Sequence, residues 1–322
     1  MARIAKPHAS ASSRATEPSP GRATSGSGPG PRPRIAAARL LRQKTATLFR
    51  HFPAALTGDE EALHQVRVWS RRLRVALRLL CGKPQGRRAR RAQRLLAELT
   101  RTAGSARDLD VLLESFAARL GQVPTRTAEQ KRLRQRLAAM RRRGRARLVQ
   151  RLLDLPIARL RADLAGLATR ACPDLTVLDR RFRSLCERES RKLEGGFAAL
   201  GALLDVVALH ALRRRARRLR YAVEVFLQVF GGEAAASKPW KALQDHIGTL
   251  HDHQVLAQWF DRQAAADKKR GHPALATAAI AEAAWARDTM QRLHAEFLAA
   301  DPAGLVRRGL DALGLSVPSS PS

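Results

Sequence analysis

Acidic side chains, aromatic rings, cysteines and long apolar runs are all scarce in this sequence. Its 322 residues include 28 Asp and Glu against 60 Lys and Arg, a formal net charge of +32. Such an excess excludes a near-neutral surface and points to a polyanionic partner: nucleic acid, an anionic membrane surface or a phosphate polymer. Aromatic residues make up 4%, and Tyr221 is the single tyrosine. That argues against the stacking platforms on which single-stranded nucleic acids lie, and it leaves the core to Leu, Ala and Val. Three cysteines, Cys81, Cys172 and Cys186, are too few for a disulfide framework and read as free thiols in a reducing compartment. No run of about 18 apolar residues is present, so no spanning helix is expected. Pro7, His8 and Ser10 stand where a signal peptide would need its apolar stretch, and the expected location is cytoplasmic.

What is abundant is arginine, 51 residues against 9 lysines. Guanidinium forks onto phosphate oxygens, whereas ammonium acts as a point charge. Residues 1–34 hold six of the 16 prolines, almost no large apolar side chain and a net charge of +5, leaving +27 for the rest. This segment reads as a disordered basic tail, and residues 314–322 as a second disordered tail. Between them the apolar residues recur at helical spacing and β-branched residues are few, so the fold class is all-α. Helices are expected near 35–52, 59–81, 87–103, 106–120, 127–153, 157–170, 176–200, 204–230, 238–263, 274–299 and 302–312. Thr57-x-x-Glu60, Thr127-x-x-Gln130 and Thr176-x-x-Asp179 have the form of capping boxes, and Asp301-Pro302 that of an N-cap followed by Pro at N1.

The chain also repeats itself. His64-Gln-Val-Arg67-Val-Trp-Ser-Arg71-Arg72-Leu-Arg74 returns 146 residues later as His210-Ala-Leu-Arg213-Arg-Arg-Ala-Arg217-Arg218-Leu-Arg220. A fainter pair follows at an offset of 144, Gly104 to Val111 and Gly248 to Val255. Two motifs in one order at nearly one offset argue for duplicated halves, 35–170 and 174–313. On a helix, His64, Arg67, Arg71, Arg74 and Arg78 fall in a stripe about 80° wide, with Val66, Leu73, Leu77 and Leu80 on the opposite, core face. His210, Arg213, Arg217 and Arg220 form the second stripe, backed by Leu212, Leu219, Val223 and Phe226. Solvated helix faces usually mix signs, because like charges at i,i+3 and i,i+4 cost a few tenths of a kcal/mol per pair. Residues 62–97 carry eleven cations and residues 130–153 carry ten, with no Asp or Glu in either stretch. Like charges at matching positions in both halves point to an anion-binding role for the two stripes.

These residues resemble the CHAD family of histidine-bearing α-helical domains. The matching pieces are His64-x-x-Arg67-Val-x-x-x-Arg71-Arg72-Leu-Arg74 and Arg107-Asp108-Leu-Asp110-Val111 in the first half. In the second they are Leu209-His210-x-Leu-Arg213-x-x-x-Arg217-Arg218-Leu-Arg220-Tyr221-x-x-Glu224 and Leu243-Gln244-Asp245-x-x-Gly248-x-x-x-Asp252. The resemblance spans 35–313 and implies two pseudo-symmetric antiparallel helical bundles around a strongly basic groove or pore. It also implies binding of inorganic polyphosphate, association with polyphosphate granules and no catalysis by the domain itself. His251 stands where Asn is common in the family. The catalytic CYTH domain to which some CHAD domains are fused is not expected here, since 34 residues precede the match. The helical segment Cys186-Glu187-Arg188-Glu189-Ser190-Arg191 only superficially has that domain's Glu-x-Glu-x-Lys form.

On this reading Arg67, Arg71, Arg74, Arg213, Arg217 and Arg220 are the principal phosphate contacts, with Arg78, Arg214, Arg218 and Lys241 in a second rank. His64 and His210 begin the stripes and either donate to phosphate or orient neighbours. Asp108 and Asp252 read as structural carboxylates that orient arginines. No cofactor or metal is expected, and the oligomeric state is open. Non-specific nucleic-acid binding is the alternative, and Trp69, Trp240, Trp259 and Trp285 read as core residues rather than stacking platforms. A metal-dependent phosphohydrolase built on His246, His251, Asp252 and His253 ranks below it, because adjacent helical residues point about 100° apart and do not chelate alone.

Overall fold

A computed structural model describes residues 36–82, 86–201 and 205–315. The two expected disordered tails lie outside the described residues, save for Gly314 and Leu315. Among the described residues there are eleven α-helices, one short 3-10 turn and no strand. In chain order they are α1 (Ala37–Arg50), α2 (Phe52–Leu56), α3 (Glu60–Leu80), α4 (Arg87–Gly121), α5 (Ala128–Leu153), α6 (Ile157–Ala168), α7 (Leu175–Ala198), α8 (Val206–Phe230), the 3-10 turn (Ala234–Ser237), α9 (Lys238–Lys269), α10 (Pro273–Ala299) and α11 (Pro302–Asp311).

The capping box at Thr127 forms as written: its side chain accepts from the Gln130 N–H, and Gln130 accepts from the Thr127 N–H. Asp301 caps α11 by accepting from the Gly304 N–H at 2.8 Å. The other two boxes are displaced. Asp59 caps α3, with Thr57 ending α2, and Asp174 caps α7 by accepting from the Thr176 and Val177 N–H groups. A carboxylate accepts these N–H donors more strongly than a hydroxyl, and it suits the positive end of the helix. A second difference is larger. The break expected at Gly104 does not occur, and α4 runs unbroken for 35 residues. Glycine inside a helix costs about 1 kcal/mol relative to Ala, too little to interrupt a helix packed along its length.

Helix packing follows one order in both halves. In the first, α3 packs on α1 and α4, α4 on α5, and α6 on α1 and α4. In the second, α8 packs on α7 and α9, α9 on α10, and α11 on α7 and α9. The halves meet through corresponding helices: α3 on α8, α4 on α9 and α5 on α10. The apolar cores divide differently from the chain, since each draws on both halves. The larger one joins α1, α3, α6, α7, α8 and α11, and includes Val66, Leu73, Leu77, Leu212, Leu219 and Val223 from the predicted core faces. The smaller one lies along the far ends of α4 and α9, where Phe116, Leu133, Leu137, Trp259, Phe260 and Ala283 meet α5 and α10. Long α4 and α9 tie the two cores together, so the described residues form one compact unit rather than a pair of separable halves.

Candidate anion-binding cleft

The contact between α3 and α8 decides the site. With Leu and Val on the buried face of each helix, both arginine stripes turn toward the same gap. A cleft of about 600 Å³ opens on one side, lined by His64, Arg67, Arg71, Arg72, Arg213, Arg217 and Arg220 among others. A narrower space of about 270 Å³ lies on the other side, lined by Arg71, Arg74, Arg78, Arg214, Arg217 and Arg218. Arg71, Arg217 and the buried Tyr221 line both, so they form the partition between the two spaces. Through Val75, Arg78 and Arg218 the narrow space adjoins a third, about 520 Å³, to which α7 adds Arg180, Arg181 and Arg188. Every predicted arginine and His64 thus lines one basic tract. His210 and Lys241 are exposed and lie outside its lining.

Among the described residues, the acids that line the tract stand at its wide end. Asp108 Oδ1 stands 3.6 Å from Arg67, and Asp252 Oδ1 stands 3.8 Å from Arg213, the same pairing in each half. Asp245 is the third acid there, and the narrow space has none. Glu224 holds Arg72 at 3.0 Å and Arg220 at 3.3 Å. It thereby takes part of the charge of Arg220, a principal contact on the sequence reading. Arg72 itself lies over the Trp69 ring, 4.7 Å from its centroid. Below this pair is Lys44, a residue the repeat did not flag because it sits on α1. Burial pushes its ammonium down to about 8, partly countered by Glu224.

The unmatched guanidiniums carry an electrostatic cost. Burial, then Arg67 and Arg217, pushes Arg71 down to about 9. Burial, then Arg213, pushes Arg217 down to about 10. Arg213 and Arg74 are lowered as well, in both cases chiefly by burial. Arg71 and Arg217 remain protonated at neutral pH, so the cleft confines like charges that an anion would relieve. Two buried polar atoms here have no partner among the described residues: the Arg74 Nε–H donor and the Gln244 Oε1 acceptor.

The other chemistry considered from the sequence falls on separate surroundings. The ring of His246 faces Phe297 at 6.2 Å, that of His253 faces Trp285 at 5.8 Å, and that of His251 faces His210 at 5.5 Å. Trp240 and Trp259 are buried, while Trp69 and Trp285 lie under Arg72 and Arg119. Asp110, in the motif after Asp108, is buried and accepts from Arg141 at 2.6 Å and Arg145 at 3.0 Å, a role that joins α4 to α5. Burial, then Arg213 and His210, pushes His251 down to about 4. Because its folded pKa lies below the ordinary value near 6.5, His251 costs the fold nothing above about pH 6.5 and destabilises it increasingly as pH falls toward 4, where the unfolded chain takes the proton more readily. We predict that His251→Phe flattens the fall in melting temperature between pH 6.5 and 4, compared with the parent chain in the same buffers. An unchanged slope would show that His251 does not set it.

The fold and this tract define an all-α protein whose two halves press arginine-rich helices together around a cationic cleft. The chain belongs to the CHAD domain family, whose model matches residues 39–261, a family associated with polyphosphate binding. The fold is similar to the crystal structure of the CHAD domain from the plant Ricinus communis, at 23% identity and a TM-score of 0.61, over 89% of this chain and 98% of that one. It is also similar to PptA from Streptomyces chartreusis, at 18% identity and a TM-score of 0.59, over 80% of this chain and 97% of that one. Among the curated proteins none matches. Among the described residues, no helix is long and apolar enough to cross a membrane.

Proposed function

We propose that the tract between α3 and α8 binds inorganic polyphosphate and retains it without turnover, and that this binding associates the protein with polyphosphate granules in the cytoplasm. The observation that carries the reading is the waist of the tract, where Arg71 and Arg217 come from opposite halves to line both spaces. A flexible chain with about one negative charge per phosphate can thread such a waist and meet guanidiniums on both sides, each making forked, charge-assisted bonds. Retention rather than chemistry is supported by the lining, which is dominated by guanidinium groups. These hold a proton permanently at neutral pH and so serve poorly as general acids or bases. The shared motifs and packing order of the halves support an origin by internal duplication.

Nucleic acid is the second reading, favoured only by the charge. The narrow space offers no exposed aromatic face for a base, because Tyr221 is buried and the tryptophans are covered. The deciding experiment is competition, at fixed ionic strength, of long-chain polyphosphate against duplex and single-stranded nucleic acid for the full chain. Polyphosphate is expected to displace both. A preference for either nucleic acid would overturn the proposal.

A further inference from the structure

Helix α5 carries a second set of unmatched cations that the cleft does not use. Its arginines sort by pairing and exposure. Those turned toward the fold are paired: Arg136 with Asp267, and Arg141 and Arg145 with Asp110 and Glu60. The others, Arg132, Arg134, Arg142, Arg143, Arg147 and Arg151, are exposed, together with Lys131, and have no ion pair among the described residues. They run from Lys131 to Arg151, about 30 Å at 1.5 Å per residue. Repulsion within such a row destabilises the helix by a few tenths of a kcal/mol per like pair.

The architecture does not require this charge. In the packing order α10 stands where α5 does, and its exposed charges balance, Arg287 and Arg292 against Asp288 and Glu296. The face also excludes two kinds of partner. It carries no aromatic residue for stacking bases, and its one large exposed apolar side chain is Leu153, at the very end. The row lies apart from the cleft, since α5 packs on α2, α4 and α10, and it is α4 that packs on α3.

We infer that the outer face of α5 is a second polyphosphate-binding surface, so that one molecule holds one chain in the cleft and another on α5 and cross-links them. The inference rests on the proposed polyphosphate reading of the cleft. Its occupant follows from charge complementarity: a flexible polyanion can wind along a broad band of guanidiniums without a groove, bases or an apolar anchor. Two surfaces on one compact unit turn binding into bridging, because a molecule already held by one chain meets a second at high effective concentration.

The test compares three full-length proteins titrated with long-chain polyphosphate, reading affinity by calorimetry and particle mass by light scattering. They are the parent, an α5 variant (Arg132→Gln, Arg142→Gln, Arg143→Gln, Arg147→Gln) and a cleft variant (Arg71→Gln, Arg217→Gln). The parent is expected to form large cross-linked particles. The α5 variant is expected to keep its cleft affinity but lose particle mass by about tenfold or more, the signature of lost bivalency. A fourth protein, with Lys at the same four α5 positions, should restore the particles, which separates charge from folding. Particles unchanged in the Gln variant would overturn the inference, leaving α5 a solvated face. Loss of duplex DNA binding with polyphosphate particles unchanged would overturn it in favour of a nucleic-acid surface. Failure of the polyphosphate reading itself looks different: the parent would bind no polyphosphate, or would bind it with an affinity that the cleft variant leaves unchanged.

Discussion

Replacing Arg71 and Arg217 by Glu is expected to abolish retention of polyphosphate while leaving the helices intact. These two side chains line both compartments of the cleft, so no path through it avoids them. Each removes a charge-assisted contact worth about 1.5–3 kcal/mol, and the pair together about 3–6 kcal/mol. That range corresponds to roughly a hundred- to ten-thousand-fold in affinity before the added repulsion of two carboxylates is counted. The fold should not suffer. Arg71 is crowded by Arg67, and Arg217 by Arg213, so reversing the sign turns those two repulsions into attractions, while positions 71 and 217 repel each other as they did before. Circular dichroism should therefore be unchanged, and the melting temperature without ligand equal to or above that of the parent. Retained binding would show that the cleft is not the site, and a lower melting temperature would show that its arginines are not in conflict. Asp108→Asn with Asp252→Asn is the natural companion, since it removes two negative charges from beside Arg67 and Arg213 and should tighten binding.

Glu189→Ala is expected to destabilise the fold through a single seam between two helices. Glu189 is 1% exposed on α7 and accepts from two side chains of α8, Arg218 at 3.0 Å and Arg215 at 3.3 Å. Arg188 Nε lies 3.5 Å away. Without the carboxylate, three guanidiniums face one another at the seam between α7 and α8. Removing one partner of a fully buried pair costs about 3–5 kcal/mol. Here Arg215 and Arg218 are 33% and 41% exposed and regain water, which lowers the expected loss to about 2 kcal/mol. Thermal unfolding should show a drop of roughly 5 °C. Glu189→Gln keeps the shape but not the charge and should fall between. A melting temperature unchanged by the Ala substitution would show that the seam does not depend on this carboxylate.

Both expectations depend on contacts at very different reach along the chain, and this explains what was legible in the sequence. Helix positions, the core faces of Val66, Leu73, Leu77, Leu212 and Leu219, and the two arginine stripes follow from the 100° turn per residue, a local rule. That both stripes line one cleft was not legible in the periodicity, because it takes the packing of α3 on α8. Nor was continuity through Gly104, since a local helix penalty is outweighed by packing with α5 and α9.

What only the tertiary structure decided is which cations are already matched. Glu224 takes Arg72 from the other half and shares Arg220, Glu189 takes Arg218, and Asp110 with Glu60 takes Arg141 and Arg145. Arg72 and Glu224 are 152 residues apart. No periodicity in the chain records such pairings, because a carboxylate acts over a few ångströms in space, whatever the distance in sequence. The sequence by itself determined the helices and the sign of the charge. The fold determined where that charge stays unmatched, at Arg71 and Arg217 within the cleft and along the outer face of α5.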